Sequence, residues 1–208
     1  MLTTPTFVRL MFAAAVLCNS GCSGANSMNQ NKSLPLTPSS NEMKKQQDRS
    51  DAMRAALKRE GSKLNLEDLA ELKFGPDQNE MRVWVGLGVL VPRCFVLKSG
   101  NDLRQASYLT IQDSAVKTQV LDPPRSGWPT FDQLLRHHKV TLPIELKPDD
   151  QHVADPDEEI IAIELKSGEW YDLLYYSLGT ESEDGKSVVT LCQAIENEFA
   201  IRMGCKVN

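Results

Sequence analysis

Clustered positive charge is the first thing this sequence lacks. No run of Lys and Arg is longer than the pair Lys44-Lys45, and the formal net charge is -5. Neutralising a phosphate backbone takes several neighbouring cations, so nucleic acid is not an expected partner. No apolar run approaches the roughly 20 residues of a membrane-spanning helix. No CxxC pair or Cys/His spacing suited to zinc or thiol exchange occurs, and no Gly-x-Ser-x-Gly turn marks a nucleophile. No metal and no cofactor is therefore expected.

Near-matches to binding motifs fail on specific positions. Gly86-Leu87-Gly88 lacks the third glycine and the following helix that a dinucleotide fingerprint needs, because Val89-Leu90-Val91 continues a strand pattern. Asp155, Asp157 and Glu159 open like a calcium loop, but the sixth and twelfth positions hold Ile160 and Lys166 rather than glycine and glutamate. His137 and His138 are adjacent, so on a helix they diverge by about 100° and cannot share a metal. Surface histidines are the expectation there.

What is present begins with an export signal. Arg9 is the only charge in the first 30 residues, and Leu10 to Cys18 (LMFAAAVLC) is apolar throughout. That length matches the 7–15-residue core of a secretory signal. Ser20-Gly21-Cys22 resembles a lipobox, with Asn19 standing where an aliphatic residue is usual. Residues 1–22 are thus expected to be a lipoprotein-type signal with Cys22 as the lipidated residue. Ordinary cleavage after Ala25 is the alternative. With Ser23 after Cys22, the resemblance points to the outer membrane or periplasmic face of a Gram-negative envelope.

Residues 23–48 are rich in Ser, Asn, Gln and Pro and poor in large apolar side chains, which predicts a disordered tether. A single α+β domain is expected over 49–208. Met53, Ala56 and Leu57 share a helical face before Gly61. Asn65 reads as the cap of a short helix carrying Leu66, Leu69 and Leu72. Period-2 alternation from Arg82 to Val91 predicts a strand, with a second over 94–98 and a third over 108–112. Thr130 is expected to cap a helix presenting Phe131, Leu134 and Leu135. Two runs, 160–166 and 170–178, meet at Ser167-Gly168 as a hairpin. A last helix, from about Lys186 to Met203, spaces Val188, Leu191, Cys192, Ile195 and Phe199 as an amphipathic face. Strands joined by short turns imply an antiparallel sheet with helices packed on one face.

Three segments, EMRVWVGLGVLVPRCFVLK (80–98), PRSGWPTFDQLLRHHKVTLP (124–143) and EEIIAIELKSGEWYDLLYYS (158–177), resemble a family of uncharacterised bacterial exported proteins and lipoproteins. The shared features are an R-V-W-x-G-x-G strand, a Trp-bearing helix lead-in ending in Leu-Pro, and a late Trp/Tyr hairpin. The resemblance implies an exported domain and carries no reaction.

Trp84, Trp128, Trp170, Tyr171, Tyr175 and Tyr176 form the candidate binding surface, since Trp and Tyr give large contact area at low entropy cost. Of the cysteines left after processing, Cys94 is expected to pair with Cys192 or Cys205 if any bridge forms. A continuous last helix would hold Cys192 and Cys205 too far apart for one. The resulting expectation is a non-enzymatic binding or structural module, anchored to the membrane by lipid and meeting an envelope protein or glycan. A hydrolase of glycan or peptide, and an inhibitor or chaperone-like module, are the alternatives.

Overall fold

The computed structural model describes residues 40–87, 91–100, 103–140 and 159–205. The signal, Cys22, most of the expected tether, the acidic run at 155–158 and His152 lie outside them.

Six strands form one antiparallel sheet: β1 (Asn79–Leu87), β2 (Arg93–Gly100), β3 (Leu103–Gln112), β4 (Ala115–Leu121), β5 (Ile160–Ser167) and β6 (Trp170–Ser177). Their order is β4-β3-β2-β1-β5-β6. With helices α1 (Ser40–Lys63), α2 (Trp128–His137) and α3 (Glu183–Phe199), the fold is α+β. The central strands are buried on both faces. Met81, Val83 and Val85 point into the core under α2 and α3, with Phe95, Ile161, Ile163 and Phe199. Trp84, Cys94, Val96 and Ala162 point the other way, toward Leu57 of α1 and Leu64 in the turn that follows it. The expected helical layer on one face is formed by α2 and α3, and α1 covers the opposite face.

Gly86, at φ 84°, absorbs a register shift between Val85 and Leu87. The bulge sends Leu87 to the α1 side with its partner Ile160.

Helix α1 starts at Ser40 instead of Arg49 and runs through Gly61. Gly61 does not end it because it is buried against the sheet, where an added Cβ would lie 3.7 Å from the Trp84 ring. Asn65, at φ 58°, closes this helix in the left-handed region and does not cap the next one. Asp68 takes that role, its Oδ1 accepting from the Ala70 amide at the head of the short 3-10 turn Leu69–Glu71. For α2 the N-cap is Gly127, not Thr130, and Pro129 falls in the first turn.

The last helix ends four residues earlier than expected, at Phe199. Ala200 adopts φ 53°, ψ 38°, and reverses the chain. The strap 200–205 then returns beside α3. The Glu196 carboxylate accepts from the amides of Met203 and Gly204, and Gln193 donates to the Cys205 carbonyl at 2.8 Å. Cys192 and Cys205 are thereby brought to a Cα–Cα distance of 5.9 Å and joined in a disulfide. Cys94, expected to take one of them as partner, is a free buried thiol on β2. The expectation failed because it placed helix where the chain turns back.

Candidate functional site

Charged side chains occupy the interior beneath α1. Parity puts Glu80, Arg82 and Trp84 of β1 on that face, beside Glu164 and Lys166 of β5 and Tyr171 of β6. Glu80, Arg82, Glu164 and Lys166 are all buried. Isolated buried charges are costly, so their partners decide whether the arrangement holds. Arg82 Nε donates to Glu80 Oε1 at 2.7 Å and Arg82 Nη1 to the Glu67 carbonyl at 2.7 Å. Lys98 lies 3.5 Å from the other Glu80 oxygen. Lys166 Nζ donates to the Ala70 carbonyl at 2.8 Å, which ties the 3-10 turn to the sheet.

Glu164 is the centre of this seam. Trp84 Nε1 donates to its Oε2 at 2.6 Å and the Tyr171 hydroxyl to its Oε1 at 2.9 Å. Burial raises the carboxyl pKa above its ordinary 4.5, opposed by Arg82, its cross-strand partner, and by the two donors. Burial, and then Glu164 itself, push the Tyr171 phenol far upward, so it stays protonated as a donor. Arg54 of α1 lies 5.8 Å from the Tyr171 ring centroid and 3.6 Å from Asp68. Both Glu164 oxygens are engaged, and the group joins α1, β1, β5 and β6.

The six candidate aromatic residues fall on two faces. Trp84, Tyr171 and Tyr175 lie toward α1, with Trp84 fully buried. Trp128, Trp170 and Tyr176 lie toward α2 and α3. Tyr176 is core, and Trp128 packs on Phe131 and Phe199 at centroid distances of 6.3 and 6.1 Å. Trp170 alone is open, 76% exposed at the β5–β6 turn. Residue type singled these residues out, but the burial of Trp84 depends on α1 and that of Tyr176 on the α2/α3 core, and neither cover is visible in the residues themselves.

His137 is exposed as expected, but His138 is buried, its Nδ1 2.9 Å from Ser187 Oγ of α3. Burial lowers its pKa. Among the described residues no group of three His, Cys, Asp or Glu is placed to hold a metal ion. None of their helices is long and apolar enough to cross a membrane.

Two open grooves lie at opposite ends of β2 and β3. One, of about 580 Å³, is bordered by Arg93, Tyr108, Thr110, Gln119 and the strap residues Ile201 and Arg202. Its polar groups are engaged at two points: Arg93 meets Glu159 at 3.0 Å, and the Tyr108 hydroxyl donates to the Arg202 carbonyl at 2.7 Å. The other, of about 610 Å³, is bordered by Asn79, Ser99, Leu103, Arg104 and Trp128. Sequence reasoning found Trp128 but not Arg104, Asn79 or Ser99, which become neighbours only through strand register. Comparison with models of known families, with curated proteins and with solved structures returns no match.

Proposed function

We propose that the chain is an exported envelope protein, lipid-anchored at Cys22, whose folded part serves as a binding or structural module. Its address is read from the leader, and the observation that carries it is the Cys192–Cys205 disulfide. Disulfides persist in oxidising compartments and are rare in the cytosol, so an exported chain is where this bridge belongs. The resemblance of its β1, α2 and β5–β6 segments to exported proteins and lipoproteins points the same way.

A non-enzymatic role is supported by how the most perturbed carboxylate is used. Glu164 accepts from Trp84 and Tyr171 inside the seam, where it ties β1 and β6 to β5. A general acid or base needs its carboxyl within reach of a substrate proton.

Labelling the expressing cells with radioactive palmitate tests the anchor. Label on the wild-type chain and none on Cys22→Ser, together with release of the variant from the membrane fraction, is the expected result. Label that survives the substitution removes the anchoring claim.

A further inference from the structure

Strand register at one end of the sheet places five residues in a single row. Arg104 of β3 pairs with Ser99 of β2. Ser99 pairs with Asn79 of β1, Asn79 with Ser167 of β5, and Ser167 with Trp170 of β6. Directly paired residues in an antiparallel sheet project to the same face. Here that is the α2/α3 side, as the same-parity residues Ala106, Leu97, Met81, Leu165 and Leu174 are all in its core. None of the five is buried.

The row has a definite chemical layout. At one end the Arg104 guanidinium lies over the Trp128 ring, 5.7 Å from its centroid, and meets both Asp132 oxygens at 2.8 Å. At the other end Trp170 is 76% exposed. Between them stand only the short hydrogen-bonding side chains of Ser99, Asn79 and Ser167. From β3 to β6 the row crosses four strand spacings of about 4.8 Å, or roughly 19 Å. The groove beside Asn79, Ser99, Arg104 and Trp128 runs along its first part.

From this layout we infer that the ledge from Trp128 and Arg104 to Trp170 binds a neutral oligosaccharide laid across the strands. A pyranose ring has a flat C–H face, which stacks on an aromatic face, and an equatorial rim of hydroxyls, which needs short donors and acceptors beside it. Trp170 offers the open ring face, and Ser167, Asn79 and Ser99 beyond it offer the short hydrogen-bonding groups, with Arg104 capping Trp128 at the far end. The Arg104 charge is answered by Asp132, so what remains for a ligand is its fork of N–H donors rather than an unbalanced cation. Sheet twist turns the ledge progressively, and a chain with a rotatable linkage between every two rings can follow it. Where such a ligand would be met depends on the export reading. The binding itself does not, so the purified chain can fail this test while palmitate labelling at Cys22 succeeds, and the reverse.

Calorimetry on the full chain, with the β-1,4-linked tetramers of N-acetylglucosamine and of glucose as probes, decides it. Binding of at least one tetramer is expected, unchanged between low and high salt because the ligand is neutral. Trp170→Ala and Asn79→Ala should each weaken it about tenfold or more, the scale of an interface hot spot. Both side chains are exposed, so the variants should keep the wild-type melting temperature. No binding of either tetramer, affinity that collapses in high salt, or Trp170→Ala binding as tightly as wild type would overturn the assignment.

Discussion

The Trp84 indole donates to Glu164 Oε2 at 2.6 Å, diagonally from β1 to β5. The Arg82–Glu164 cross-strand pair stands next to it on the same face. Arg82 and Trp84 share the parity of β1 that alternates with Val83 and Val85, and α1 converts that side into interior. The seam also meets the helix, since both donors to Glu164 lie beneath it, Trp84 under Gly61 and Tyr171 under Arg54.

Trp84→Phe preserves most of the ring volume and deletes the indole N–H. One oxygen of a buried carboxylate then loses its donor, which costs about 1–3 kcal/mol. The midpoint of urea unfolding should fall while the slope stays that of the wild type. An unchanged midpoint would mean that the bond contributes no net stability.

Glu164 and His138 should tilt stability against pH in opposite directions. The folded Glu164 pKa lies above the unfolded 4.5, so the native state binds the extra proton and Glu164 reduces stability as pH rises through the folded value. Glu164→Gln should therefore match wild type near pH 4 and gain on it toward neutrality. Its amide oxygen can accept from Trp84, and the Tyr171 hydroxyl can accept from its NH2. The folded His138 pKa lies below 6.5, so its contribution is present above 6.5 and is lost as pH falls through the folded value. His138→Gln should flatten that acid-side loss. Melting temperatures of the three proteins from pH 4 to 8 check both signs.

Where a local pattern and a burial pattern coincide, the fold was legible. Val83 and Val85 alternate with Arg82 and Trp84, and the Ser167-Gly168 turn, with Gly168 at φ 54°, joins β5 to β6 as its residues predict. Strand β4 was not read because its turn, Asp113-Ser114, reaches φ 52° and 62° without glycine. It also lies at the sheet edge, where only Leu121 is buried and little hydrophobic period survives. Helix α1 was read short at both ends: residues 40–48 share the Ser/Asn/Gln-rich composition of the expected disordered tether yet are helical, and Gly61 reads as a breaker unless Trp84 is known to lie against it. The candidate site was legible residue by residue but not as a surface. Trp128 and Trp170 stand out in the sequence, whereas the Arg104–Ser99–Asn79–Ser167 row exists only once four strands are in register.

Cys94 should be chemically silent in the folded protein. It is buried on β2 and burial drives its thiol pKa well upward, so almost no thiolate is present at neutral pH. Iodoacetamide at pH 8 should leave it unmodified in native buffer and modify it fully in denaturant. Native labelling at the denatured rate would show that α1 opens from the sheet.

The strap 200–205 depends on the Cys192–Cys205 bond for more than loop closure. Met203 and Cys205 are fully buried against α3, and Ile201 nearly so, while Ala200 has turned the chain in a conformation costly for a residue with a Cβ. The Glu196 clamp on the amides of Met203 and Gly204 offsets part of that cost. A sequence separation of 13 closes a short loop, for which the chain-entropy model gives about 3 kcal/mol. Cys205→Ser should lose about that much stability and expose the strap to protease, with cleavage after Arg202 appearing before cleavage in the sheet. Arg202 is the exposed basic residue of the strap, so trypsin reports on it directly. Mass spectrometry of a non-reduced digest should recover a Cys192–Cys205 linked peptide and no link to Cys94. A Cys94 link would mean that the strap does not return beside α3, and the Arg202 cut would then appear in the wild type as readily as in Cys205→Ser.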